Sequence, residues 1–157
     1  MLPISGFDLP MRAVTCSAAA TSSGFVDTLG YNFCSIDISI FPGHTTATNN
    51  PTVFKLGQSN DTYLSNATDI TAFVGDGVGG WTIPNIPTVT TTPYTVKMNV
   101  DCRSLARYLH LEMSALGTTL TATAYANLYR AEQLPNTAAE TGQTGAAQGT
   151  VAAVVNG

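Results

Sequence analysis

The stretch that decides the fold is Phe33-Cys-Ser-Ile-Asp-Ile-Ser-Ile40, in which apolar and polar side chains alternate. Side chains on a β-strand repeat every two residues, so this pattern predicts a strand with one dry face and one polar face. The dry face would carry Cys34, Ile36, Ile38 and Ile40, and the polar face Ser35, Asp37 and Ser39.

The same period recurs along the chain and predicts strands at residues 11–17, 52–59, 70–74, 94–100, 107–113 and 120–129. The connections are rich in Gly, Pro, Asn and Thr, and only residues 101–106 are compatible with a helical turn. Short strands without helix–strand alternation favour an all-β antiparallel sandwich. A jelly roll is the expected subclass, because it also limits exposed sheet edges.

Three segments are expected within the 157 residues, which fit one domain. Residues 1–10 form an N-terminal arm, since Pro3 and Pro10 disfavour helix. Residues 11–134 form the sandwich, and residues 135–157 a low-complexity C-terminal arm. That arm is either an unordered tail or a segment whose Val-rich end adds a strand to a neighbour.

The charge content is unusually low for a soluble domain. Charged residues are 10% of the chain, against roughly 25% in an average domain, and the net charge is −4. Such a surface fits a protein covered by partners, or else a neutral Thr-rich sandwich. The six cations are scattered, so a nucleic-acid surface is not expected.

The three cysteines, Cys16, Cys34 and Cys102, follow no zinc-site spacing and are predicted to be buried free thiols in a reducing cytoplasm. The N-terminus lacks the basic start and apolar core of a signal peptide. No stretch approaches the roughly 18 apolar residues of a membrane span, so neither secretion nor membrane insertion is expected.

Four patterns were weighed as sites. The Gly75–Gly80 cluster matches G-x-G-x-x-G, but Pro84 follows instead of a helix, so it is interpreted as a turn with positive φ angles. His110 and Glu112 share a strand face, where the pair is interpreted either as a surface hydrogen bond or as an acid–base couple. Asp61, Asp69 and Asp76 are solvated loop residues or ligands of a stray calcium ion. The aromatic set for sugar stacking is Trp81, Tyr63, Tyr94, Tyr125 and Tyr129.

For each of these patterns, the interpretation that assigns no site is favoured. No catalytic, cofactor-binding or metal-ligating residue is predicted, no cofactor is expected, and the chain is not expected to be an enzyme. The aromatic residues leave open a carbohydrate-binding or host-attachment module as an alternative function.

Four elements, taken in order, resemble a known family. They are Val26-Asp-Thr-Leu-Gly-Tyr-Asn32, Val53-Phe-Lys-Leu-Gly-Gln-Ser-Asn-Asp-Thr62, Thr68-Asp-Ile-Thr71 and Arg107-Tyr-Leu-His-Leu-Glu-Met113. The series is similar to elements of the capsid decoration (cement) proteins of tailed bacteriophages, over roughly residues 25–130. The chain departs from that family at Ala106-Arg107, where the family is more basic, and in its Ala/Gly/Thr-rich tail.

The resemblance implies a jelly-roll virion protein, typically a homotrimer, made in the host cytoplasm and seated on the outer capsid surface. Its partners would be the major capsid protein and itself, with no nucleic acid and no membrane. Composition rather than family motifs supplies the expected contact residues: Leu2, Ile4, Phe7, Leu9, Val151, Val154 and Val155. Deleting residues 135–157 is expected to weaken capsid attachment and to leave the sandwich folded.

Overall fold

The computed structural model describes residues 5–16, 22–41, 51–83, 94–115, 120–130 and 150–156. Their strands are β1 (Ser5–Cys16), β2 (Ser22–Asp27), β3 (Phe33–Phe41), β4 (Pro51–Ser59), β5 (Thr68–Val74), β6 (Tyr94–Asp101), β7 (Tyr108–Ala115), β8 (Leu120–Tyr129) and β9 (Thr150–Asn156). Within these residues the one helical element is a short 3₁₀ turn, Leu64–Asn66. The predicted all-β class is confirmed.

The strands form two sheets, ordered β1-β8-β3-β6-β9 and β2-β7-β4-β5. The first four strands pair antiparallel with the next four in nested fashion: β1 with β8, β2 with β7, β3 with β6, and β4 with β5. Further pairs, β3–β8 and β4–β7, join these into sheets. β9 is added parallel to β6. One apolar cluster contains side chains from both sheets, so the molecule is a β-sandwich.

β3 lies at the centre of the five-stranded sheet and fills the core as predicted. Its apolar side chains, Cys34, Ile36, Ile38 and Ile40, are all buried. Ile38 lies opposite Val96 of β6 and Ala124 of β8. The small alanines of β8 therefore flank the branched residues of β3 on the same face, an arrangement that lets the layer pack closely.

The four-stranded sheet supplies the other half of the core through Phe54, Leu56, Phe73, Leu109, Leu111 and Met113. Trp81 joins this layer: its ring packs edge-on against Phe54 at 5.0 Å, and its Nε1 donates to the Phe73 carbonyl at 3.2 Å. The glycine cluster before it is a turn, with positive φ at Gly79 and also at Asp76. The turn reverses the chain so that the Trp81 amide donates a hydrogen bond to the Val74 carbonyl at 3.2 Å.

The polar side of β3 differs from the expectation of a wet face. Ser35, Lys97 and Asn99 are buried, and only 4% of the Lys97 side chain is exposed. These groups pair across the strands: Lys97 Nζ donates to Asp37 at 2.6 Å, and Ser35 Oγ to Asn99 Oδ1 at 3.0 Å. Each pair occupies opposite positions in the β3–β6 register. Polar groups can be buried here because their neighbours satisfy them.

The two predicted arms contain strands of the sandwich. β1 runs across the expected boundary at residue 10, and its first residue, Ser5, lies opposite Tyr129 of β8. β9 pairs with β6 of its own chain, and Val155 is 7% exposed and part of the core. β2 was not predicted, because Ser22-Ser-Gly-Phe-Val-Asp27 offers too short an alternation.

We expect a chain that ends at Gly149 to lose the amide protection that β9 gives to β6. Removing Val155 from the core should also lower the free energy of unfolding by about 2 kcal/mol. Hydrogen exchange of residues 94–101 checks this: the β6 amides that face β3 should stay protected, and those that face β9 should exchange. Unchanged exchange along all of β6 would contradict the β6–β9 pairing.

A candidate protein-interaction surface at the β2–β3 turn

The connection between β2 and β3 is a tight turn that presents an apolar side chain to solvent. The Tyr31 amide donates to the Thr28 carbonyl at 3.0 Å, and Gly30 has a φ of +83°. A positive φ at the third residue is what a type II turn requires. The Leu29 amide donates to Asp27 Oδ1 at 3.0 Å, and Leu29 at the tip is 65% exposed.

Two other parts of the chain are hydrogen-bonded to this turn. Thr28 donates its amide and its hydroxyl to the Arg107 carbonyl, at 2.9 and 2.8 Å. Asn32 donates to the Tyr129 carbonyl at 2.9 Å and accepts from the Cys102 amide at 2.8 Å. We call the resulting area, formed by residues 27–33, 101–108 and 129–130, the turn surface.

Three arginines converge on the turn surface, and each guanidinium lies over an aromatic ring. Arg103 lies over Phe33 at 5.0 Å, Arg107 over Tyr108 at 4.9 Å, and Arg130 over Tyr31 at 5.2 Å. They are half of the chain's six Lys and Arg residues. These cations are scattered in the sequence, and only the fold brings the three segments together. Stacking restricts each long side chain before any partner arrives.

Two of the three arginines are held by a carboxylate of the same surface. Arg107 binds Asp27 through three contacts, at 3.0, 3.1 and 2.6 Å. Arg103 binds Asp101 in the same way, at 2.9, 3.2 and 2.5 Å. Arg130 is different: none of the ion pairs among the described residues includes it.

The two ion pairs hold carboxylates in their charged form. The hydrogen bonds from Arg107 lower the pKa of Asp27 below its usual 3.8 against a smaller opposing effect of burial, and the Leu29 amide adds to the lowering. Arg103 lowers the pKa of Asp101 likewise. At neutral pH both carboxylates are therefore charged and paired, and Arg130 is the one arginine of this surface without an ion pair among the described residues.

Apolar and aromatic residues extend the turn surface onto the outer face of the four-stranded sheet. Phe25 is 48% exposed and packs edge-on against Tyr108, with ring centres 5.9 Å apart. Tyr63, on the loop between β4 and β5, is also largely exposed. Arginine and aromatic residues are enriched at protein interfaces and among their energetically dominant residues. The composition of this area thus fits a contact with another protein.

His110 and Ser59 form a buried contact between β7 and the end of β4. His110 Nε2 lies 2.9 Å from Ser59 Oγ and 3.2 Å from the Asp61 carbonyl, and Ser59 Oγ donates to that carbonyl. The contact ties the β4–β5 loop to β7.

Among the described residues, the carboxylates weighed as site residues bind other partners. Glu112 lies 3.8 Å from Lys55 Nζ, and Lys55 pairs with Asp69 at 2.8 Å. Asp61 accepts from Asn66 Nδ2 at 2.8 Å, and Asp76 from the Ile83 amide at 2.9 Å. No group of three or more His, Cys, Asp or Glu suited to a metal ion occurs in the described part of the chain.

The aromatic residues weighed for sugar stacking are spread over the molecule. Trp81 is buried, while Tyr63 lies on a loop of the four-stranded sheet and Tyr125 is 48% exposed on β8 of the other sheet. Tyr125 and Tyr129 share a face but are four residues, or about 13 Å, apart along the strand. The described residues do not bring these rings into one platform.

Cys34 and Cys102 are free and buried, as predicted. Burial raises the pKa of Cys102 to about 12 and also raises the pKa of Cys34 well above its usual range. Both thiols are thus protonated at neutral pH and act as small apolar groups. Nothing is described of the Cys16 side chain.

None of the expected contact residues belongs to the turn surface, and two of them lie outside the described residues. Leu2 and Ile4 fall outside the description. Phe7 and Leu9 are in β1, and Val151, Val154 and Val155 are in β9. The Val155 side chain is buried in the core, so contact with a partner would require β9 to leave β6.

Replacing Asp27 by Asn should lower stability at neutral pH and leave it almost unchanged in acid. The pKa of Asp27 is lowered in the folded state, so its contribution is present above pH 3.8 and is lost as the pH falls through the folded-state value. Urea unfolding of both proteins between pH 2 and 7 checks this. A stability difference that grows below pH 3.8 would contradict the assigned pairing.

Replacing Ser59 by Ala should lower the free energy of unfolding by about 1–3 kcal/mol, because it leaves buried polar groups on His110 and Asp61 poorly satisfied. Ser65→Ala, at an exposed position of the 3₁₀ turn, is the matched control and should change stability by less than about 0.5 kcal/mol. Equal effects of the two variants in urea unfolding would exclude the proposed tie.

Among the described residues, no helix has the length and apolar character needed to cross a membrane. Comparison with known proteins gives no match to a family model, to a curated protein or to a solved structure.

Proposed function

We propose that this chain is a capsid decoration (cement) protein of a tailed bacteriophage, one that binds the outer surface of the assembled capsid and stabilises it. A single observation carries the proposal. The four sequence elements that resemble this family begin in β2 and lie in β4, β5 and β7, and these are the four strands of one sheet.

The convergence of these elements matters because they are far apart in the sequence. Val26 and Asp27 belong to β2 and lie opposite Leu109 and Tyr108 of β7. Asp27 also forms an ion pair with Arg107, the residue that precedes β7. β4 lies between β7 and β5 and so completes the set. Elements that act as one folded unit make the resemblance a stronger argument than four separate short matches.

We also infer that the sandwich is a jelly roll. The support is the nested pairing, in which the first four strands pair with the next four in reverse order and successive pairs alternate between the sheets. Eight strands wound in this way are the arrangement of that fold, with β9 as an addition.

The mechanism would be stabilisation by binding. A protein that binds the assembled, expanded lattice and not its separated subunits shifts the equilibrium towards the lattice by an amount that grows with affinity and occupancy. A homotrimer would contact several major capsid subunits at once and gain from multivalency. A net charge of −4 favours the outer surface over the side that faces the genome.

The test uses capsids assembled from the major capsid protein encoded in the same genome, before and after expansion. We expect the purified protein to co-sediment with expanded capsids and to raise the temperature at which they lose integrity. Light scattering coupled to size exclusion should give the mass of a trimer. Absence of co-sedimentation with expanded capsids would refute the proposal.

Two exposed aromatic residues provide a matched pair of variants. Phe25 on the four-stranded sheet and Tyr125 on the five-stranded sheet are each 48% exposed. If the four-stranded sheet carries binding, Phe25→Ser should weaken capsid binding several-fold and Tyr125→Ser should not. The reverse order would assign binding to the other sheet.

A further inference from the structure

We propose that the turn surface is the docking site for a capsid protein segment that bears a carboxylate beside an apolar side chain, with Arg130 binding the carboxylate and Leu29 the apolar group. This inference rests on the proposed function and adds to it the residues and the chemistry of contact. It follows from a difference among three similar arginines and from the shape of the β2–β3 turn.

Arg130 is the one stacked arginine of the turn surface that has no carboxylate among the described residues. Arg103 and Arg107 have the same aromatic support, and each places its fork against an aspartate. Arg130 is exposed and lies over Tyr31, so its fork is oriented but unfilled. A planar guanidinium donates two hydrogen bonds to a carboxylate in a bidentate geometry, as Arg103 and Arg107 illustrate.

The backbone of the turn lies close to this side chain. A Cβ atom at Gly30 would be in ordinary van der Waals contact with Arg130 Nη2, at 3.4 Å, and the positive φ of Gly30 disfavours other residues there. Leu29, the preceding residue, projects into solvent from a turn whose ends are fixed by hydrogen bonds. The apolar tip residue Leu29 is thus adjacent in sequence to Gly30, and Gly30 lies beside the oriented guanidinium of Arg130.

The charges of the surface favour a protein carboxylate over nucleic acid. Two of its three arginines are neutralised by Asp27 and Asp101, which leaves one open cation beside apolar and aromatic groups. Binding a phosphate backbone requires several uncompensated cations, and the whole chain carries a net negative charge. One cation with an apolar neighbour matches a mixed segment of a protein surface.

The experiment measures the affinity for expanded capsids of Arg130→Ala, Arg130→Lys and Leu29→Ser. Val78 provides matched controls, since it is 99% exposed on the loop that follows the far end of β5. Val78→Asp changes the net charge by the same amount as Arg130→Ala, and Val78→Ser removes an exposed apolar side chain as Leu29→Ser does. Thermal unfolding of every variant identifies any that fail to fold.

We expect Arg130→Ala and Leu29→Ser each to raise the dissociation constant at least about tenfold, while both Val78 variants bind like the unchanged protein. Arg130→Lys should recover part of the affinity, because it keeps the charge and loses the fork. Only Arg130→Ala should reduce the salt dependence of binding.

Three outcomes would overturn the inference, and they are distinguishable. If the unchanged protein binds capsids and the Arg130 and Leu29 variants bind equally well, the docking site is wrong and the proposed function stands. If the unchanged protein does not bind capsids, both fall. If Arg130→Ala and Val78→Asp weaken binding equally, the effect of Arg130→Ala comes from the change in net charge. That result would also reject the site.

Discussion

The whole structure depends on β3 being hydrogen-bonded along its length on both sides, to β6 and to β8. A central strand has no free edge, so each of its side chains has a fixed neighbour on either side. On the inner face this places the isoleucines between apolar or aromatic residues of β6 (Met98, Val96 and Tyr94) and the alanines of β8. On the outer face the same register places Asp37 opposite Lys97 and Ser35 opposite Asn99. A shift by one residue would put the isoleucines outside and the polar pairs inside the core.

The nested pairing extends this constraint to the ends of the sandwich. Because β2 pairs with β7 and β3 with β8, the β2–β3 turn comes to lie beside the start of β7 and the end of β8. That is why Asp27 meets Arg107 and why Arg130 lies over Tyr31, although long stretches of sequence separate them. The candidate interaction surface is thus a direct consequence of the topology. The residues around it supply hydrogen bonds to the turn and leave little freedom at its tip.

Most of the sandwich could be predicted from the sequence, and the reasons for the remainder are physical. The period of two identified the strands that have one apolar face, among them β3, β6, β7 and β8. β2 is short and has a glycine at its centre, and β9 is rich in valine and alanine without a polar alternation, so neither gave that signal. The buried outer face of β3 and β6 was missed because alternation separates polar from apolar residues but does not show whether the polar face is wet. The arginine cluster was missed because convergence of distant segments is a tertiary property, and a local pattern contains no trace of it.

The pairing of early strands with late ones also bears on how the chain is synthesised. β3 is one of its most apolar strands, and it leaves the ribosome before either of its partners, β6 and β8, exists. Its isoleucines therefore remain exposed to other nascent chains, or to chaperones, until residues near 130 have been translated. Contacts of such long sequence separation also slow folding after release. The yield of folded molecules would then depend on how well this one strand is protected during translation.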